Sequence, residues 1–297
     1  MREMRHYLKL PVFIFTLGYS LTASAQQEPF FSHYNEIIEV FNPAVSGIHE
    51  QMRFTALNRT QWSAIDNAPE TFVFGVSLPA KTNVGLGINV IQDKTFIERS
   101  TFVGVDYSYK LKLDEDTNLY LGLKGGLHTY EVDPSLLESY NLTPDTSLDR
   151  FSKTLPNVGM GLYLTHKRLS ISMASPRLLN TERVQEREGR AVFAKDRVHY
   201  YTSANYIFDV TQDITFDPTV ITRFVWGAPM SFDFQGRLTY NKMVSLTGAL
   251  RTDDTYVAMV QFKVFNNFTI GWAYESGSQS TLSNYGSSQE FMLRISL

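Results

Sequence analysis

Residues 118–130 read Asn-Leu-Tyr-Leu-Gly-Leu-Lys-Gly-Gly-Leu-His-Thr-Tyr. Leu119, Leu121, Leu123, Gly125 and Leu127 fall on one side of an extended chain, and Tyr120, Gly122, Lys124, Gly126 and His128 on the other. Successive side chains of a strand point to opposite faces, so this stretch is a strand with one apolar and one polar face. It is also long enough to cross a hydrocarbon layer at a tilt, which takes about ten residues.

The pattern repeats outward in both directions. In Ser100 to Leu113, Val103, Val105, Tyr107, Tyr109, Leu111 and Leu113 oppose Ser100, Gly104, Asp106, Ser108, Lys110 and Lys112. In Ser231 to Tyr240, Phe232, Phe234, Leu238 and Tyr240 oppose Asp233, Gln235, Arg237 and Thr239. Fourteen such segments follow one another: 51–61, 69–78, 83–92, 98–113, 118–131, 156–165, 168–175, 197–208, 213–225, 231–240, 242–252, 255–265, 267–276 and 287–297. An even number suits a single-chain barrel whose two termini share one side of the membrane.

The joins sort by parity. After even-numbered segments they are short: 79–82, 114–117, 166–167, 209–212, Asn241 and Asn266. The three long joins, 132–155, 176–196 and 277–286, all follow odd-numbered segments. Short periplasmic turns alternating with longer outer loops are the asymmetry of outer-membrane barrels, whereas a soluble sandwich has no reason to sort its loops. The fold class predicted is therefore all-β: a transmembrane antiparallel up-and-down β-barrel of about fourteen strands. The joins place both termini in the periplasm and the three long loops outside.

Composition and the ends of the chain agree. Aromatic residues make up 13% of the chain. Tyr107, Tyr109, Tyr240, Trp272 and Tyr274 sit near strand ends on apolar faces, as interfacial girdles require. The last segment alternates Phe291, Leu293, Ile295 and Leu297 with Met292, Arg294 and Ser296 up to the terminus.

At the other end, Arg2, Arg5 and Lys9 precede an apolar run from Leu10 to Leu21, and Ala23-Ser24-Ala25 offers a small-x-small cleavage site. The run is well short of the roughly 20 residues of a spanning helix, so residues 1–25 read as a cleaved signal peptide. The exported chain then begins at Gln26 and carries 24 basic against 29 acidic residues, a net charge of −5. With no basic stripe, nucleic acid is not expected as a partner. The absence of cysteine excludes a disulfide scaffold and thiol chemistry.

The polar faces carry Asp106, Lys124, Asp217, Arg223, Asp233, Arg237, Arg251, Lys263, Glu275 and Arg294. They read either as the lining of an ion-selective pore or as a network bracing the wall, and their mixed signs favour the network. Gly85, Gly87, Gly104, Gly122, Gly126, Gly159, Gly161 and Gly271 lie on the same faces. Glycine there marks either curvature or close approach of another backbone. The candidate to approach is the segment 26–50, in which Tyr34 to Val40 is a possible short helix followed by Asn42-Pro43-Ala44. The organisation expected is a signal peptide at 1–25, a plug-like segment at 26–50 and a barrel at 51–297.

Enzyme signatures are missing. His33, His49, His128, His166 and His199 show no metal-ligand spacing, and there is no Gly-x-Ser-x-Gly or phosphate-cradling loop. No cofactor, metal or catalytic residue is expected.

An ordered string of motifs resembles the PorP/SprF family of the Bacteroidetes type IX secretion and gliding machinery. Phe41-Asn42-Pro43-Ala44-Val45-Ser46-Gly47 is similar to the family's opening NPAxAG. Asn58-Arg59-Thr60-Gln61-Trp62 with Ala68-Pro69-Glu70-Thr71 resembles its YRxQW and GAPxT, although Asn58 stands where an aromatic is usual. Val84 to Val90 followed by Asp93 resembles GLGxxxxxD, and Ile270 to Glu275 through Leu282 and Tyr285 resembles the family's closing segment. There, Gly286-Ser287-Ser288-Gln289-Glu290 replaces GSHE and lacks the His.

The family-motif positions are Asn42, Pro43, Arg59, Gln61, Trp62, Asp93 and Glu290, structural or partner-binding. The resemblance implies an outer-membrane barrel that docks or anchors secreted adhesin-type substrates at the cell surface. Its partners would be outer-membrane lipid, the C-terminal domain of a secreted adhesin and periplasmic type IX components. The alternative is a general outer-membrane porin or a hydrophobic-solute transporter.

Overall fold

The alternating segments hydrogen-bond in sequence order and the last returns to the first. In this computed structural model the wall strands are β1 (Arg53–Thr60), β2 (Glu70–Lys81), β3 (Val84–Thr95), β4 (Glu98–Lys112), β5 (Thr117–Val132), β6 (Phe151–His166) and β7 (Leu169–Ser175). They continue with β8 (His199–Tyr206), β9 (Ile214–Val225), β10 (Ser231–Tyr240), β11 (Val244–Arg251), β12 (Thr255–Val264), β13 (Phe268–Gly277) and β14 (Ser288–Ser296). Each is antiparallel to the next, and β1 pairs with β14 from Arg53 opposite Ser296 to Thr60 opposite Gln289. Closure leaves no free sheet edge, which a strand-built wall in lipid requires. The structure describes residues 30–65, 67–133, 150–179, 186–187, 190–191, 197–252, 254–265, 267–277 and 286–297. The signal peptide read at 1–25, and most of the three long joins, lie outside the described residues.

Burial is inverted relative to a soluble protein. Leu123 is 61% exposed and its neighbour Lys124 only 3%. Val105 is 55% exposed beside Asp106 at 1%, and Phe291 58% beside Glu290 at 1%. Apolar side chains outside and charges inside are the arrangement lipid imposes on a barrel wall. Tyr107, Tyr109, Tyr240, Trp272 and Tyr274 are all on the exposed side, where girdle residues belong. The even-numbered strands are joined to their successors by short turns, including Asn241 and Lys242, both at positive φ. Two positive-φ residues in a row form the tight turn whose twist matches a hairpin.

Two strand ends differ from the sequence reading, and both involve proline. The segment expected at 156–165 begins at Phe151 in β6. Pro156 lies within it, opposite Leu127 of β5. Strand β7 pairs with β6 only from Met160 onward, so at Pro156 the ladder on that side is vacant and a missing N–H costs nothing. Likewise β2 runs through Pro79 to Lys81, where a turn was expected, because the ladder shifts register between Leu78 and Lys81. A bulge absorbs the proline there.

Residues 30–48 lie inside the barrel. Phe31, Tyr34, Ile37, Val40, Phe41, Ala44 and Val45 are all buried. The short helix expected over 34–40 is broken into a 3₁₀ turn at Tyr34–Glu36 and a single α turn at Ile38–Phe41, followed by a 3₁₀ turn at Pro43–Val45. Single turns have little stability of their own, so the wall must hold this segment.

Candidate functional site

The inner wall is shaped to receive the segment. A Cβ on Gly122 of β5 would overlap the backbone of Pro43 and Ala44, and one on Gly161 of β6 would overlap the Asn42 side chain. Gly85 and Gly87 of β3 leave room for Ser46 and Gly47, and Gly271 of β13 for the His33 ring. The remaining inward glycines do not meet the segment. Gly104 and Gly126 flank the Phe102 ring, and Gly159 meets Pro176.

We expect Gly122→Leu to unseat the segment, lowering the urea midpoint of the folded barrel by an amount equivalent to roughly 1–3 kcal/mol or more, as overpacking does. Gly125→Leu, on the lipid side of the same strand with open space around its Cβ, should leave the midpoint unchanged.

Four polar clusters then lock the segment. At Asn42, the side-chain oxygen accepts from Ala44 N at 2.9 Å and caps the 3₁₀ turn. Its nitrogen donates to Leu162 O at 2.9 Å and Ser172 Oγ at 2.8 Å. Pro43 occupies the first position of that turn, where its fixed φ fits and no N–H is needed. Below it, Lys124 pairs with Asp106 at 3.2 Å and donates to Val40 O at 2.9 Å.

Glu36, on the segment, meets Arg294 at 2.5 Å and Arg237 at 2.6 Å. Two guanidinium groups on one buried carboxylate offset the cost of taking it out of water.

The fourth cluster centres on Glu290 of β14. Its oxygens accept from Ser32 N at 2.7 Å, His33 N at 3.0 Å and Arg59 at 2.6 Å, and lie 2.9 Å from His33 Nδ1. Arg59 of β1 also forks onto Glu275 of β13, at 2.9 and 3.1 Å. Arg251 of β11 continues the network to Glu275 at 3.4 Å and Asp233 at 3.3 Å. The Phe30 ring sits between Arg251, at 4.4 Å, and Arg223, at 5.4 Å. Cations over a desolvated aromatic face add attraction to packing. Asp106, Lys124, Asp233, Arg237, Arg251, Glu275 and Arg294 thus form a bracing network of mixed sign rather than a file of like charges lining a pore, whereas Lys263 is exposed.

Of the seven motif positions, the structure brings Arg59 and Glu290 into direct contact, and places Asn42 and Pro43 on the segment itself. Asp93 of β3 accepts from Thr71 Oγ1 of β2 at 2.6 Å, a link across adjacent strands. Gln61 and Trp62 stand apart, just past β1. The Gln61 backbone N–H donates to Pro69 O, and Trp62 is half-buried at a φ of 49°. The sequence reading missed Ser32, His33 and Glu36. Their one signal was two acidic residues, Glu36 and Glu39, with no Lys or Arg between Gln26 and Met52.

The sequence profile described as type IX secretion system membrane protein PorP/SprF matches residues 23–295. The chain belongs to the PorP/SprF family. No curated protein matches it. Similar solved barrels include the outer membrane protein Omp33 of Acinetobacter baumannii, at 9% identity over 85% of this chain and 100% of that one, with a TM-score of 0.48. The toluene transporter TbuX of Ralstonia pickettii is 10% identical over 86% of this chain and 91% of its own, TM-score 0.49. The monoaromatic hydrocarbon channel CymD is 8% identical over 86% and 90%, TM-score 0.49. These likenesses are of outline alone and bear on no cargo of the PorP/SprF chain.

Proposed function

We propose that this PorP/SprF-family outer-membrane barrel docks or anchors secreted adhesin-type substrates at the cell surface, as part of the type IX secretion and gliding machinery. On this reading the chain is exported by a cleaved leader at residues 1–25. It meets the C-terminal domain of a secreted adhesin outside and type IX components in the periplasm. The observation that carries the reading is the filled lumen. Segment 30–48 is held by four buried polar clusters, so the barrel is built to keep its interior occupied rather than to pass solute. A barrel closed in this way works through its ends. The reading calls on no catalytic residue and no cofactor.

The test is affinity purification of the full-length barrel from native membranes, followed by identification of what co-purifies. A secretion-type C-terminal domain or other type IX components should be recovered. Recovery of neither, together with rapid solute uptake into liposomes carrying the intact barrel, would sink the proposal in favour of a porin or transporter.

A further inference from the structure

The two ends of the lumenal segment lie at opposite ends of the barrel. At one end, Gly47 packs on Gly85, the second residue of β3, and its N–H donates to Ser77 Oγ of β2 at 3.0 Å. The chain then reaches β1, with Met52 N donating to Leu297 O at 3.0 Å beside the C-terminus. This is the end of the short turns. At the other end, the Phe30 ring rests against Arg251, the last residue of β11, and Arg223, third from the end of β9. Ser32 is bonded to Glu275, third from the end of β13, and to Glu290. All four wall residues belong to the half of the barrel from which the long loops leave.

We propose that the barrel is threaded by its own N-terminal segment, so that the chain preceding Phe30 emerges on the extracellular side and the N-terminus of the exported protein is displayed at the cell surface. Chain direction carries this. From Phe30 to Gly47 the polypeptide runs inward, from the outer half of the barrel to the periplasmic mouth, and the strands then begin from that mouth. The N-terminus thus departs from the periplasmic side expected from the joins, and the two termini of the exported chain lie on opposite sides of the membrane, although β1 and β14 are neighbours in the wall.

The fastening is built for permanence. Glu290 takes two backbone N–H groups of the segment, Gln235 Nε2 donates to Ser32 O at 3.2 Å, and Arg294 donates to Glu36 O at 2.5 Å. Contacts to backbone fix the path whatever the side chains do. The inference is independent of the adhesin-docking reading and survives its failure.

The absence of cysteine makes the test direct. Single-cysteine variants of the full chain are probed in intact cells with a membrane-impermeant biotin maleimide. Thr252→Cys, on an outer turn, marks labelling from outside, and Asn83→Cys, on a periplasmic turn, marks labelling that needs permeabilised cells. Heat-modifiable migration shows that each variant is folded. Glu28→Cys should label in intact cells to within about twofold of Thr252→Cys, because two residues beyond Phe30 span about 7 Å of extended chain.

An epitope inserted between Gln27 and Glu28 should likewise bind antibody on intact cells. Labelling of Glu28→Cys only after permeabilisation, or in neither condition, overturns the proposal. In the first case the segment doubles back to the periplasm, and in the second it ends enclosed in the lumen.

Discussion

Deleting residues 26–47 should turn a closed barrel into a conducting one. The segment contributes Phe31, Tyr34, Ile37, Val40, Phe41 and Val45 to the interior, all buried. What they cover is polar: Arg59, Asp106, Lys124, Asp233, Arg251, Glu275, Glu290 and Arg294 on the inner face of the wall. Stripped of its filling, that surface would hydrate, because buried charges robbed of partners recover solvation from water. In planar bilayers the deleted barrel is expected to conduct more than the intact one, since porin-type barrels differ from plugged ones in whether the lumen is filled. Little preference for cations or anions is expected, because charges of both signs face the lumen and their fields largely cancel. The deleted form must first show heat-modifiable migration. If it is folded and still conducts no more than the intact barrel, the lumen is closed elsewhere and the segment is not the plug.

How much of this was legible in the sequence depends on the range over which each feature is encoded. The strands were legible because a wall between lipid and a polar interior forces alternation on every residue: Leu123 and Lys124 report the two environments side by side. Loop parity was legible because it is a matter of length alone. Gly122 and Gly161 pointed to a close approach, although glycine alone could not tell a neighbouring backbone from a ring. Gly104 and Gly126 turned out to accommodate Phe102, an inward aromatic on an otherwise polar face. The lock itself was not legible. His33 and Glu290 are 257 positions apart, and no periodicity connects a loop residue to a strand residue at that distance. Arg59 and Glu290 appeared as separate family positions. Only barrel closure, which puts β1 against β14 with Arg59 opposite Glu290, makes them one object. Proline misled at Pro79 and Pro156, since a proline is excluded from a strand only where a partner needs its N–H.

Glu290→Ala is expected to be the most damaging single substitution of the lock. It removes the acceptor for Ser32 N and His33 N, the partner of His33 Nδ1 and one of the two carboxylates that hold Arg59. Removing one member of a buried ion pair costs about 3–5 kcal/mol, most of it from the charge and donors left behind. Glu290→Gln keeps an acceptor and loses the charge, so a smaller loss of about 1–3 kcal/mol should follow. Phe291→Leu, on the lipid-facing side of the same strand, should stay within about 0.5 kcal/mol, as surface changes do.

Urea midpoints of reconstituted barrels would rank the three variants, but the ranking alone does not separate wall bracing from segment locking, because Glu290 serves both through Arg59 and His33. A double-mutant cycle with His33→Ala does. If the carboxylate grips the segment, His33→Ala should cost markedly less in the Glu290→Ala background, with a coupling energy of about 1 kcal/mol or more, as for residues in direct contact. Costs that add to within about 0.5 kcal/mol would mean that the two sites do not sense each other. The imidazole would then add nothing to the grip of Glu290, which would hold the segment through the Ser32 and His33 N–H groups and the wall through Arg59.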